Sequence, residues 1–115
     1  MTSRHAERRT AQRVLARLHP TVPGRVNFRA GDIEGGGMIL DISAGGANVH
    51  EASHRLEPGT KVELFFLQPK TERRIKGTAE VVRTTKTGFA VRFLRLEREL
   101  KTLVLAAVEK SRSGR

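Results

Sequence analysis

Residues 25–42 read RVNFRAGDIEGGGMILDI, and this stretch decides the fold. Val26 and Phe28 lie two positions apart between polar residues, which places both side chains on one face of a strand. A glycine-rich segment at residues 31–37 follows, and residues 38–42 form the next apolar run. The pattern predicts a β-hairpin whose turn covers residues 31–37, including three consecutive glycines.

Beyond this hairpin the chain continues with four more short apolar runs, separated by turn-forming residues such as Pro58 and Gly59. These runs cover residues 47–50, 62–67, 75–83 and 89–94. Six short strands with turns between them are typical of a β-barrel or a β-sandwich.

The segment after the last predicted strand has a helical period. Its apolar residues recur at steps of three and four, and they are Leu96, Leu100, Leu103, Val104, Ala107 and Val108. This stripe predicts an α-helix over residues 96–109. Because one face of the helix is apolar, we expect it to lie buried across the barrel and to close one open end.

The two ends of the chain differ from its middle. Residues 1–18 are rich in arginine without a broad apolar face, so we expect a basic arm that is a loose helix or disordered. Pro20 and Pro23 end any helix there. The barrel and its helix are expected at residues 19–110, followed by a polar tail at residues 111–115.

Size and composition are those of one small globular domain. The chain has 115 residues, of which 37% are hydrophobic and 30% charged, and it has no cysteine. The lack of cysteine excludes disulfides and thiolate chemistry and fits a reducing compartment. No run approaches the ~18 apolar residues of a membrane span, and the polar start is unlike a signal peptide. We therefore expect a cytoplasmic protein without membrane insertion.

The charge of the chain points to an anionic partner. The formal net charge is +10, and the first 30 residues hold seven arginines against one glutamate. Nucleic acid, a phosphate-bearing small molecule and an acidic protein surface all fit this charge. With five phenylalanines and no tryptophan or tyrosine, the chain has few aromatic side chains on which bases could stack. Nucleic acid is therefore the least favoured of the three.

One candidate binding motif lies at the end of the second predicted strand, where Asp41, Ser43 and Gly46 form D-x-S-x-x-G. Strand alternation places Asp41 and Ser43 on one exposed face, with Leu40 and Ile42 pointing inward. A carboxylate can accept the two parallel N–H donors of a guanine edge, and a hydroxyl both donates and accepts. The alternative is an ordinary turn, because these residue types are common turn formers.

Arginines spaced R-x-x-x-R form a second candidate motif. The pairs are Arg4/Arg8, Arg9/Arg13, Arg13/Arg17 and Arg25/Arg29. Two guanidinium groups at this spacing could bind phosphate oxygens bidentately or contact guanine O6 and N7. The alternative is a solvated basic face that attracts phosphate without specificity.

The sequence offers no catalytic constellation. His50 and His54 are four positions apart, but no third metal ligand is evident near them. The glycines at residues 35–37 do not open a helix, so they are not a phosphate-binding loop. We therefore expect a protein that is not an enzyme and that has no catalytic residues, metal or cofactor.

Together these features resemble the PilZ domain family, whose mark is R-x-x-x-R followed by [D/N]-x-S-x-x-G. Four further stretches are similar to strands of that family: VPGRV at residues 22–26, LEPGTKV at 56–62, GTAEVVR at 77–83 and GFAVRF at 88–93. The resemblance covers residues 9–110, which is nearly the whole chain.

The resemblance implies a mainly β fold, namely a six-stranded antiparallel barrel with a basic N-terminal arm and one C-terminal α-helix. It also implies that cyclic di-GMP binds between the arm and the barrel. The arginine pair would contact phosphates and guanine Hoogsteen edges, Asp41 and Ser43 would receive a guanine edge, and Gly46 would leave room for the base. A downstream effector protein in motility, envelope or biofilm control would be the partner.

The arginine motif fits that family in two registers. Arg9 and Arg13 match the opening E-R-R-x-x-x-R, whereas Arg13 and Arg17 let the next strand align without a gap, and we favour the second. Three functions stay open at this point: a cyclic di-GMP receptor, an adaptor of the same fold that binds no nucleotide, and a small basic nucleic-acid-binding barrel.

Overall fold

A computed structural model gives the fold. It describes residues 13–15, 22–68 and 73–113, with side chains as far as residue 109. The elements in these ranges are β1 (Val14–Leu15), β2 (Arg25–Ala30), β3 (Ile33–Ile42), β4 (Gly46–His50), β5 (Lys61–Leu67), β6 (Arg74–Thr84), β7 (Phe89–Leu96) and α1 (Arg98–Ser113). No helix within these ranges combines the length and the apolar character needed to cross a bilayer.

Strands β2 to β7 form a closed antiparallel barrel. They follow the order β3-β2-β5-β6-β7-β4, and pairing between β3 and β4 closes the ring. The predicted six-stranded antiparallel barrel with one C-terminal helix is therefore confirmed.

Strand β1 was not predicted, because the sequence suggested a loose helix or disorder in this part of the arm. Pairing of β2 with β3 ends at Met38, which leaves the last residues of β3 with a free edge. β1 occupies that edge, with Val14 opposite Ile42 and Leu15 opposite Asp41. Val14 is buried in the core, so apolar burial and backbone pairing together hold this short strand in place.

The hairpin of β2 and β3 is tighter than predicted. Ala30 pairs with Ile33, so the turn contains two residues, and residues 35–37 belong to β3. The predicted turn over residues 31–37 is therefore wrong. The glycines serve close packing instead, because a Cβ on Gly37 would lie 2.8 Å from Cγ1 of Val49 and 3.1 Å from the carbonyl oxygen of His50.

The core lies inside the barrel and continues under the helix. Phe28 and Phe89 meet edge to face at 5.2 Å between ring centroids. Leu100 and Val104 of α1 are fully buried in the same apolar cluster, which confirms that the helical stripe packs on the barrel. The helix begins at Arg98, two residues later than predicted, because Leu96 still belongs to β7.

A β-bulge interrupts β3 just before its end. Ile39 pairs with Val49 and Asp41 with Asn48, so Leu40 is the additional residue. Leu40 is 42% exposed, and its predicted inward orientation is therefore wrong. The bulge shifts the alternation by one position, which places both Ile39 and Ile42 in the core.

Candidate functional site

Asp41 lies near the end of β3, on the outside of the barrel. Its backbone has a neighbour on either side, because it pairs with Leu15 of β1 and with Asn48 of β4. The bulge at Leu40 directs the Asp41 side chain outward, and 16% of that side chain remains exposed. The carboxylate is therefore held among neighbours and remains partly exposed.

Arg13 makes an ion pair with this carboxylate. Its Nη1 atom donates to Oδ1 of Asp41 at 2.8 Å and reaches the carbonyl oxygen of Gly46 at 3.5 Å. Arg13 directly precedes β1, so the pairing of β1 with β3 places it beside Asp41. Two motifs that are 28 positions apart in the sequence thus meet at one place on the surface.

Asn48 of β4 also donates to this carboxylate. Its Nδ2 donates to Oδ1 of Asp41 at 3.0 Å and to Oδ2 at 3.2 Å. Sequence reasoning missed this residue. The signal was available, because strand alternation from Gly46 turns Asn48 outward while Ala47 and Val49 face the core.

Ser43 is buried, with 1% of its surface exposed. Its Oγ accepts hydrogen bonds from the backbone N–H groups of Gly45 and Gly46, each at 3.2 Å. β3 ends at Ile42, so strand alternation does not extend to Ser43, and the predicted shared exposed face with Asp41 is wrong. In this structure Ser43 holds the turn, and its contact with a ligand stays a prediction.

Gly46 lets β4 approach β7 closely. A Cβ at this position would collide with the carbonyl oxygen of Val91. On the same side, the backbone N–H of Phe93 donates to the carbonyl oxygen of Gly45 at 2.8 Å. This close approach serves the packing of the barrel next to Asp41, and the room that Gly46 would leave for a base stays a prediction.

Comparison with known proteins identifies the family. The family model described as PilZ domain matches residues 7–110. The chain belongs to the PilZ domain family. PilZ domains are cyclic di-GMP receptor and adaptor domains, and the predicted family is therefore confirmed. A search of curated proteins found no match.

Solved structures support the same fold for this PilZ domain. The PilZ domain of CeSA from a cellulose-synthesizing bacterium is similar with a TM-score of 0.60 and 17% identity, and the match covers 89% of this chain and 99% of that one. The Bacillus subtilis inhibitor of motility MotI/DgrA is similar with a TM-score of 0.67 and 17% identity. That match covers 91% of this chain but spans about half, 52%, of the other protein.

Only part of the predicted arginine motif of the PilZ domain can be located. Arg9 and Arg17 lie outside the described residues, whereas Arg13 is placed on Asp41. Arg13 belongs to both candidate registers, so the choice between Arg9 and Arg17 as its companion stays open.

A second acidic side chain on the barrel's outer face offers a contrast to Asp41. Glu63 of β5 accepts hydrogen bonds from Arg29 at 2.7 and 3.1 Å, and Lys76 lies 3.3 Å from its other oxygen. The hydrogen bond from Arg29 is the largest cause that lowers the pKa of the Glu63 carboxyl, and the hydrogen bond from Lys76 is the second. Glu63 therefore carries a full negative charge at neutral pH.

Proposed function

We propose that this PilZ domain is a receptor that binds cyclic di-GMP between its N-terminal arginine arm and the Asp41 end of β3. The supporting observation is the 2.8 Å contact between Arg13 and Asp41, which brings the basic and the acidic motif together. The proposed ligand-binding residues are Arg9, Arg13, Arg17, Asp41, Ser43 and Gly46. The chemistry needs no catalytic residue, metal or cofactor.

The position of Asp41 supports recognition of guanine. The N1–H and N2–H groups of a guanine are two parallel donors, and an ionised carboxylate can accept both at once. Asn48 donates to both carboxylate oxygens and so fixes the plane of the carboxylate. A guanine edge would therefore meet an acceptor that is already oriented, which reduces the entropy lost on binding.

Arg13 occupies part of the carboxylate that the guanine needs. Oδ1 of Asp41 already accepts from both Arg13 and Asn48, and Oδ2 accepts from Asn48, so a guanine would displace Arg13 and share the carboxylate with Asn48. The Arg13 side chain is 43% exposed, and ion pairs with such exposure contribute only about 0–1 kcal/mol. Charge-assisted hydrogen bonds to the ligand contribute about 1.5–3 kcal/mol each, so the exchange favours binding. The released guanidinium would then bind a phosphate.

The occupied carboxylate also favours a second candidate function. With Arg13 and Asn48 both bound to Asp41, the site satisfies its own hydrogen-bonding groups without a nucleotide. A PilZ-fold adaptor that acts through protein contacts alone would have this arrangement permanently. In either case the signal would pass to an effector protein. One similar solved structure is named an inhibitor of motility, so motility is one process to examine, beside envelope and biofilm control.

Calorimetric titration of the whole chain with cyclic di-GMP tests the proposal. The receptor function predicts saturable binding that persists as the salt concentration is raised from low to physiological values. Absence of binding at tens of micromolar ligand would refute the receptor function and favour the adaptor. Single-stranded DNA is the comparison ligand. Tighter binding of DNA that collapses with salt would instead indicate a nucleic-acid-binding barrel, because such binding depends on counterion release.

A further inference from the structure

A row of polar side chains continues from Asp41 across the outside of the barrel to β6. Nδ2 of Asn48 donates to both oxygens of Asp41, which leaves its Oδ1 atom pointing away from the carboxylate. Nη2 of Arg83 donates to that oxygen at 3.2 Å. The row therefore runs from Arg13 through Asp41 and Asn48 to Arg83, with a guanidinium group at each end.

A second β-bulge turns Arg83 toward this row. In β6, Val81 pairs with Val91 and Arg83 with Ala90, so Val82 is the additional residue. Without that extra residue, strand alternation would place Val81 and Arg83 on the same side, and Val81 faces the core. The bulge instead leaves Arg83 exposed on the outer face, where it reaches Asn48.

The small side chain of Ala90 makes this reach possible. Ala90 pairs with Asn48 on one side and with Arg83 on the other, so it lies between them. Neighbouring strands are about 4.8 Å apart, so Arg83 must span about 10 Å across β7. Ala90 is only 4% exposed although it is not part of the core cluster.

Arg83 keeps most of its hydrogen-bonding capacity. A guanidinium group has five N–H donors. Among the residues that the structure describes, Arg83 donates a hydrogen bond to Asn48. Its charge has no acidic partner there, unlike Arg92, which pairs with Glu80 at 2.9 Å. The remaining donors of Arg83 are thus available at the end of a row that leads to Asp41.

The chemistry of guanine gives these donors a target. Along its Watson–Crick edge guanine presents N2–H, N1–H and then the acceptor O6. A carboxylate satisfies the two donors but repels O6, so the neighbouring protein group must be a donor. Asn48 follows Asp41 in the row and already donates to both of its oxygens, and Arg83 follows Asn48 with donors still available.

We infer that Arg83 is a further ligand-binding residue, which donates to O6 of the guanine whose N1–H and N2–H groups Asp41 accepts, while Asn48 positions both side chains. This inference rests on the proposed receptor function and extends its site to β4 and β6. Adenine presents an amino donor where guanine has O6, so a guanidinium at this place also disfavours adenine.

Calorimetry with cyclic di-GMP on Arg83→Ala, Arg83→Lys and Arg95→Ala tests the inference. Arg95 is an exposed arginine of β7, five residues from Ala90, or about 16 Å along the strand. We expect Arg83→Ala to weaken binding about tenfold or more, Arg83→Lys to recover part of the loss, and Arg95→Ala to have little effect. Thermal unfolding should be the same for all three variants, because both arginines are exposed.

Equal affinities of Arg83→Ala and Arg95→Ala, with the wild type still binding, would refute the role of Arg83 and leave the receptor function standing. A wild-type chain that does not bind the nucleotide would refute both. Asn48→Ala provides a second variant. It should weaken binding while Arg83 is intact, because neither the carboxylate nor the guanidinium is then held, and unchanged affinity would refute its positioning role.

Discussion

Replacing Asp41 by asparagine removes the acceptor on which guanine recognition depends. A guanine edge offers two donors, and the carboxylate can accept both, whereas an amide keeps one acceptor oxygen and presents an N–H group in place of the other. At least one charge-assisted hydrogen bond is lost, which contributes about 1.5–3 kcal/mol. Asp41→Asn should therefore weaken cyclic di-GMP binding roughly 10- to 150-fold.

The same substitution should leave the fold intact. The ion pair with Arg13 is partly exposed, so its loss should cost less than about 1 kcal/mol of unfolding free energy. Calorimetric titration at physiological ionic strength measures the affinity, and thermal unfolding by circular dichroism checks that the variant is folded. A loss of binding at unchanged melting temperature assigns the effect to the site.

Glu63→Gln is the matched control, because it also replaces an ionised outer-face carboxylate by an amide. Cyclic di-GMP is anionic, so removal of any negative charge should by general electrostatics leave binding unchanged or slightly tighter. We expect this result for Glu63→Gln and the opposite for Asp41→Asn. Affinities equal to the wild type in both variants would refute guanine recognition by Asp41.

Three further predictions concern the arm, the helix and the turn. Arg13→Ala should weaken nucleotide binding about ten- to a hundredfold, and a larger loss for Arg17→Ala than for Arg9→Ala in the same titration would select the gap-free register. Equal small losses at all three positions that vanish in high salt would mean diffuse attraction only. Leu100→Ala should lower the unfolding free energy by about 3 kcal/mol in urea titrations, because Leu100 is fully buried in the core, and a change below about 0.5 kcal/mol would contradict docking of α1. Gly46→Ala should cost about 1–3 kcal/mol in the same assay because β4 must move away from β7, and wild-type stability would contradict the close approach.

Most of the fold could be predicted because it depends on patterns that repeat along the chain. Alternating apolar residues and turn formers gave the six strands, and the stripe through Leu100 and Val104 gave the buried helix. The wrong predictions concern positions where the alternation of inward and outward side chains shifts by one residue. One additional residue at Leu40 reverses which side chains face the core, and no residue type in that segment demands a bulge.

Long-range contacts explain the other differences. The glycines at residues 35–37 look like a turn in the sequence, yet Gly37 lies in a strand, where it pairs with Val26 of β2 and β4 packs closely against it. β1 forms only because the edge of β3 is free beyond Met38, a fact that depends on where β2 ends.

The candidate site could be predicted only in part, because some of its residues follow local spacing and others depend on contacts between strands. Its two motifs follow local spacing, and they meet at Arg13 and Asp41. Asn48 and Arg83 come from other strands, and their proximity depends on pairing across β7 and on a second bulge. Ser43 was assigned to the wrong face because alternation was extended past the end of β3.

Backbone amide chemical shifts recorded during titration with cyclic di-GMP test most directly whether the ligand binds at the Asp41 end of β3. The account predicts saturable shifts at Arg13, Asp41, Gly46 and Asn48, with little change on the opposite part of the barrel around Glu63. Shifts centred on Glu63, or a spectrum that the nucleotide leaves unchanged, would contradict it.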